Sequence, residues 1–404
     1  MPTTAEVCDA LCDVLHAGNE VHRCLAVQAL GRIGNPRAVD ALTACLMDED
    51  EDVRVDAAEG LGLLGDGRAC ASLVSSLLGD PCSDVKISAV EALGRLGCRD
   101  AAPELRGLAR QGDDAANRDD TEWLHEGWDD RLEIQVKAID ALARMGTVEA
   151  VPDIVDAIDD EMGQELSETG MKALARLGGP GIEALAHYLK APDGRLRRRA
   201  AGAMAGVDSE AARGALAGAL QDDWADVRLA AARGVASGNA AHPGLVPLFD
   251  DADPKIRAEM VRLCGRLYPE RLDAMLDDPS DRVQETVVGL LAADSGPTPP
   301  NGLIRRLRIK LRGPSPSVAV AAAAALAALA PEDALEDLAE QLRDKGCPAA
   351  VRCAAARALA DIGTDRAAHV LLQTIGDDER RVRLDAMLGL ARMAADRRSE
   401  PARH

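Results

Sequence analysis

The chain has 404 residues, only about one percent of them aromatic, and carries 40 Arg and 7 Lys against 44 Asp and 24 Glu, a net charge of −21. An acidic, lysine-poor surface of this kind excludes general nucleic-acid binding, which needs clustered cations to neutralise phosphates. The longest apolar run, 13 residues from Val318, is too short to cross a bilayer, which takes about 20, so no membrane insertion is expected.

A repeated phrase organises the chain. "DEDEDVRVDAAEGLGLLGDGRA" returns as "DPCSDVKISAVEALGRLGCRDA", "DDWADVRLAAARGVASGNAA" and "DDERRVRLDAMLGLARMAAD". Aligned on the leucine eight residues after the first valine, units start at His22, Val53, Val85, Ile134, Leu166, Leu196, Val227, Ile256, Val283, Val318, Val351 and Val382. These twelve starts lie 27 to 35 residues apart, except for a step of 49 between Val85 and Ile134. Self-similarity at such a period marks a stack of supersecondary units rather than separate globular domains. The expected architecture is therefore all-α, a single α-solenoid over 1–394 with an insertion near 110–131, a Pro/Gly break near 294–302 and a disordered tail over 395–404.

Within a unit, Val53, Ala57, Ala58, Leu61 and Leu64 recur at helical spacing and make one apolar face. The preceding "RAVDALTACLMD" supplies a partner helix, with Val39, Leu42, Cys45 and Leu46 inward. No unit shows sustained period-two alternation, so strands are not expected. Five residues before a start stand Asp48, Asp80, Asp129, Glu161, Asp222, Asp251, Asp278 and Asp377; one residue after stand Arg23, Arg54, Lys86, Arg197, Arg228, Arg257, Arg352 and Arg383. The acids are placed to accept N–H bonds near the second helix's N-terminus, and the two columns can pair along the stack. On the capping role alone, losing Asp222 costs on the order of 1 kcal/mol. Glycines at helix ends are read as C-caps, and Ala and Gly at inter-helix contacts as permitting close approach.

The pattern D-x-x-x-x-V-R-x-x-A-A-x-A-L-G-x-L-G, recurring from about Val21 to Met393, resembles the short HEAT repeats of the phycobilisome-lyase (HEAT-like) type. The resemblance implies α-solenoids whose second helices line a concave face. It also implies a choice of roles, since such proteins include chromophore-lyase subunits, deoxyhypusine hydroxylase and non-catalytic adaptors, among them taxis-associated proteins of halophilic archaea. The hydroxylase would need repeated His-Glu pairs, whereas the corresponding positions read Val55-Asp56, Ile87-Ser88, Val136-Lys137, Glu168-Thr169 and Arg198-Arg199. The lone His125-Glu126 lies in the insertion. A lyase-type or other chromophore-handling subunit is the alternative function; it would need an apolar groove and a partner subunit, and the expected concave positions are largely charged.

Other chemistry is not visible. The sequence has no P-loop, no G-x-G-x-x-G after a strand, and no C-x-x-C pair or Cys/His cluster at zinc-ligand spacing. Seven of ten cysteines precede residue 100 and are read as small thiols filling tight helix contacts in a reducing compartment. No catalytic residue, metal or cofactor is expected. With no basic region followed by an apolar core in "MPTTAEVCDALCDVL", the expected location is the cytoplasm. The Asp- and Arg-rich balance suits a salt-rich cytoplasm, although a GC-rich genome would by itself favour Arg over Lys.

The expected function is a non-catalytic scaffold or adaptor that binds a protein partner with an acidic segment; by the resemblance, a signalling or taxis assembly of a halophilic archaeon is one version. Outward positions of the second helices change sign, from Asp56, Glu59, Glu91 and Asp140 to Lys172, Arg176, Arg198, Arg199, Arg233, Arg262 and Arg266. These cations are the first candidate partner-binding strip. The insertion "RQGDDAANRDDTEWLHEGWDDRLE" is the second, because it holds Trp123 and Trp128, two of three tryptophans, and tryptophan is a favoured interface anchor. A third is "NGLIRRLRIKLRGPSP", where Leu303, Leu307 and Leu311 form the buried stripe and Arg305, Arg306, Arg308, Lys310 and Arg312 are left mostly exposed, for an acidic partner in preference to a membrane surface, since the helix has no aromatics or lipid anchor.

Overall fold

A computed structural model describes residues 3–110, 128–159, 166–238, 241–294 and 302–399. The chain divides into two compact units, Met1–Gly234 and Val235–His404. Each is an all-α solenoid of paired helices, without a strand among the described residues. In the first unit the second helices of successive pairs, Glu20–Ile33, Glu51–Leu64, Ser83–Leu96, Trp128–Met145, Ser167–Arg176 and Gly194–Ala205, pack each on the next, and the first helices form a parallel layer beside them. The second unit repeats the arrangement with Pro254–Cys264, Asp281–Asp294, Pro316–Leu329, Ala349–Ile362 and Arg380–Ser399. The core lies between the layers: Val53, Ala57, Ala58, Leu61, Val39 and Leu42 are all essentially inaccessible. The insertion with Trp123, most of the Pro/Gly break and residues 400–404 lie outside the described residues.

The L-G-x-L-G signature divides its two glycines between different tasks. The second, Gly65 or Gly97, sits just past the helix at φ +81° or +69°, a left-handed conformation that ends the helix at little steric cost. The first lies inside the helix and is a packing residue. A Cβ on Gly62 would stand 2.9 Å from Ala92 Cα, and one on Gly94 would stand 2.8 Å from Ala141 Cα. Gly31 meets Gly60 in the same way, at 2.7 Å. Position nine of one unit therefore touches position seven of the next, backbone against backbone.

The acid and arginine columns form the expected ladder, but its rungs are stronger than a helix cap. Arg54 donates Nη1 to the Asp48 carbonyl of its own turn and places Nε and Nη2 on the two oxygens of Asp80, one unit on, at 2.8 and 3.1 Å. Arg197 grips Asp222 at 2.7 and 3.0 Å, and Arg257 grips Asp278 at 2.8 and 2.7 Å. Arg23–Asp48 and Arg352–Asp377 are further rungs of the same kind. Each aspartate also accepts the N–H two residues on, from Asp50, Cys82, Trp224, Ser280 and Glu379 respectively in chain order. The helix caps proper are other residues, such as Asp50, Asp193 and Asp253. The ladder is interrupted in the first unit, where Gln135 and Ser167 take the arginine position and Ala191 the acid position, and in the second, where Gln284 takes the arginine position and bonds the Asp278 carbonyl and where Gly313 and Ala319 carry neither charge.

This arrangement makes stability depend on acid. Burial, the largest influence on Asp222, pushes its carboxyl up, but the bonds from Arg197 and Trp224 N–H and the charges of Arg197 and Arg228 outweigh it. Asp278 and Asp377 are lowered through the same opposition. A carboxyl held below its unfolded value of about 3.9 contributes stability that is complete above that value and is lost as pH falls through the folded value. Asp222→Asn should therefore be clearly less stable than the wild type in urea at pH 7, with the gap closing below about pH 4. A gap that stays constant down to pH 3 would show that the carboxylate charge is not what stabilises the rung.

Two sequence expectations need correction. Cys70 and Cys98 are joined in a disulfide, with Cα atoms 5.8 Å apart, rather than standing as separate thiols. They lie 28 residues apart, close to one repeat, so stacking brings them together while nothing local in the sequence does. Elsewhere burial keeps thiols unreactive, pushing Cys12, Cys24, Cys45 and Cys353 up to about 11. The second correction is the basic helix, Leu303–Leu311. Its leucines are buried as expected, but most of its cations are already matched within the unit. Arg306 pairs with Asp273 and Asp277, Lys310 with Asp277, Arg308 with Asp337, and Arg312 with Asp337 and Glu340. First helices of neighbouring pairs lie side by side, which sets their charges opposite one another.

Candidate protein-binding face

Position six of each second helix lies, at 3.6 residues per turn, roughly opposite the stripe made by positions zero, four and eight. It is therefore free of packing duties. In the first unit this position reads Glu59, Glu91, Asp140, Lys172, Gly202 and Arg233 on successive helices. Glu59, Lys172, Gly202 and Arg233 are exposed, and Glu91 and Asp140 are half-buried. The sign change expected from sequence thus falls between two helices in direct contact, Trp128–Met145 and Ser167–Arg176.

Ion pairs stitch the acidic part to the basic part. Arg176 reaches across to Asp140 at 2.5 Å, and Arg144 takes the other oxygen of that carboxylate at 2.7 Å. Glu91 holds Arg95 on its own helix and Lys137 on the next. Lys172 pairs with Glu168 at 2.7 Å, and this hydrogen bond and charge hold the Glu168 carboxyl below its usual range. Arg199 turns inward onto the Ser167 hydroxyl, while Arg198 is exposed with no ion pair among the described residues. Arg233 is engaged by neighbouring groups.

The structure brings Lys172, Arg176, Arg198, Arg199 and Arg233 onto helices of the first unit. Arg262 and Arg266 belong to the second, where Arg262 pairs with Glu259 at 2.9 Å and Arg266 is exposed and engaged. Trp128 begins the helix Trp128–Met145, and Trp123 lies outside the described residues.

Trp224 was not singled out by the sequence. Its indole lies over the backbone of Gly194, where any Cβ would collide with the ring, and it remains 46% exposed. The only signal for it was a glycine opening a second helix, one unit before a tryptophan in the acidic turn. Beside it at the helix start stands Arg195, exposed and without an ion pair among the described residues.

Comparison with known proteins places these features in a family context. A family model described as HEAT repeats matches residues 8–78, 48–126 and 304–391, together just over half of the chain. A model of the PBS lyase HEAT-like repeat matches residues 134–160. Among solved structures the chain is similar to the complex of CpcE and CpcF of phycocyanin lyase from Nostoc sp. PCC7120, at 24% identity over 62% of this chain and 93% of that one, with a TM-score of 0.37. It is similar to human deoxyhypusine hydroxylase at 21% identity, over 71% of this chain and 96% of that one, with a TM-score of 0.30. It is also similar to Kap95p at 13% identity, over 98% of this chain and 66% of that one, with a TM-score of 0.47. No curated protein sequence matches it significantly. No helix among the described residues is long and apolar enough to cross a membrane.

Proposed function

We propose, from the premise that this chain belongs to the HEAT-repeat family, that it is a non-catalytic scaffold whose second-helix face binds an acidic segment of a protein partner. The observation that supports this reading most is a group of exposed cations on two neighbouring second helices of the first unit. Lys172, Arg176 and Arg198 come from adjacent helices, are exposed, and contribute nothing to the core. A stack of helical pairs is well suited to the task, because each unit adds one row of outward side chains to an extended surface. The pairs Lys172–Glu168 and Arg176–Asp140 are surface pairs worth about 0–1 kcal/mol each, so a partner's carboxylates can compete for the cations. A place in a signalling or taxis assembly is the finer form of the proposal.

The test begins with a pull-down from the native host and identification of the bound protein. Against that partner, Lys172→Glu with Arg198→Glu should slow association about tenfold or more at low salt, the usual mark of lost steering. Added salt should slow the wild type towards the same rate, since exposed charges are screened beyond about 8–10 Å. The melting temperature should hardly move, as solvated surface changes stay within about 0.5 kcal/mol. Unchanged association kinetics in the double variant would reject this group of cations as a docking site. A chromophore-handling role would call for an apolar groove, and a visible absorption band in protein purified from its host would redirect the reading to that alternative.

A further inference from the structure

The residue immediately before a second helix has a recurrent task in this fold. Asn19, Asp50, Asp193, Asp253 and Ser315 each stand there and accept an N–H of the helix's first turn through the side chain. Trp224 stands in the same place before Ala225–Ala236, and its carbonyl accepts from Arg228 N–H as a capping residue's does. An indole has an N–H to donate and no atom with which to accept, so this helix gives up the side-chain cap. The ring is set down instead on Gly194, at the start of the preceding second helix, Gly194–Ala205. An added Cβ on Gly194 would stand 2.4 Å from two atoms of the indole. Gly194 is not in a left-handed conformation, so it is the ring, and not the backbone, that requires glycine.

Two departures from good local structure, a helix without its side-chain cap and a glycine in a first turn, thus hold one aromatic ring at the surface. Departures of this kind gather where a protein binds something. The Gly194 backbone covers one side of the indole, yet the residue remains 46% exposed. In a chain with three tryptophans, an aromatic surface held open in this way suits an interface anchor.

The charge beside the ring indicates what it anchors. The helix Gly194–Ala205 carries four arginines and no acid. Arg197 is committed to Asp222, and Arg199 turns onto the Ser167 hydroxyl. Arg195 and Arg198 are exposed, have no ion pair among the described residues and, three residues apart, share one face of the helix. Arg195 follows Gly194 directly, so positive charge runs from the ring along the helix. Asp193 and Asp223, both exposed, adjoin Gly194 and Trp224 in the chain. Carboxylates of a partner therefore fit along the arginines and not over the ring itself.

We infer that Trp224 anchors a binding site on the first unit for an acidic protein segment that carries an aromatic side chain, the aromatic stacking on the exposed indole and the neighbouring carboxylates pairing with Arg195 and Arg198. Built on the acidic-segment binding proposed above, the site adds the residue that keeps the segment in place. Charge governs the rate of encounter, while the uncharged stack adds affinity of its own. Single-stranded nucleic acid also stacks on tryptophan and pairs with arginine. The acids Asp193 and Asp223 beside the ring oppose a phosphate chain there.

Fluorescence anisotropy with two short labelled peptides of Asp, Glu, Ser and Gly tests this, the two being identical except that one has a central Phe where the other has Ser. The wild type should bind the Phe peptide about three- to tenfold more tightly. Added salt should weaken both peptides in the same proportion, because the extra contact is uncharged. Trp224→Ser, which supplies the kind of cap that Ser315 provides, should keep the helical signal and bind the two peptides alike. Trp224→Phe should keep most of the preference. Arg195→Glu with Arg198→Glu should weaken both peptides and leave the ratio between them unchanged. If that double variant binds both as the wild type does, the acidic-segment reading fails and the anchor with it. If it binds both weakly but the wild type does not distinguish the peptides, or if Trp224→Ser still prefers Phe, the anchor alone is overturned. Oligothymidylate bound more tightly than the Phe peptide, or no detectable binding of that peptide to the wild type, overturns it as well.

Discussion

Asp222→Ala should lower the stability of the first unit by about 3–5 kcal/mol, well above the roughly 1 kcal/mol of a lost cap. The rung is nearly inaccessible, with side chains 14% and 10% exposed, and removing the carboxylate leaves the two nitrogens Arg197 had placed on it without an acceptor. Trp224 N–H loses its acceptor as well. The loss should be local, because contacts in a solenoid run between neighbouring pairs; hydrogen exchange should accelerate around 194–236 before it does near the N-terminus. Replacing both partners, Arg197→Met with Asp222→Leu, should cost much less than the single change, since a buried pair is weak evidence of net stabilisation while a broken one is expensive. Urea titrations of the three proteins decide the matter. A single variant within 1 kcal/mol of wild type would mean that the rungs are decoration on a stack held by its apolar contacts alone.

A second large effect is expected at the interior glycines, with opposite signs at two positions of the same residue type. Gly94→Val should destabilise by about 1–3 kcal/mol or more, because the first added carbon already overlaps Ala141 and β-branching adds bulk in a contact that cannot open without moving a helix. Gly202→Ala should instead stabilise by about 0.4–1 kcal/mol, since nothing lies within 4 Å of the new Cβ and alanine loses less entropy in a helix. Thermal melts of the two variants give the comparison directly. If both changes destabilise, open space at Gly202 is not what permits that glycine.

Much of the fold was legible because it repeats. Helical spacing in Val53, Ala57, Ala58 and Leu61 fixes which face is buried, and the recurrence of that spacing with no aromatic core requires neighbours to supply the missing surface. The acid and arginine columns were readable for the same reason, since a constant offset from an aligned start becomes a constant position in space. The sequence could also locate the change of sign between Asp140 and Lys172, because position six lies opposite the apolar stripe wherever the helix is regular.

Partner choice is what the linear pattern could not supply. That Asp222 belongs to Arg197 rather than to its own helix cap depends on the rise from one pair to the next, a distance between helices and not along the chain. The Cys70–Cys98 bond has the same origin, as do the acids Asp273, Asp277 and Asp337 that claim the cations of Leu303–Leu311. Two glycines in one L-G-x-L-G motif look equivalent in sequence; only the packing of Gly94 on Ala141 separates a contact from the cap at Gly97. Composition and periodicity determined that this protein is a stack of helical pairs with one charged row per unit. Which charges remain available to another molecule was decided by tertiary structure, because a side chain's availability is set by the neighbour that reaches it first.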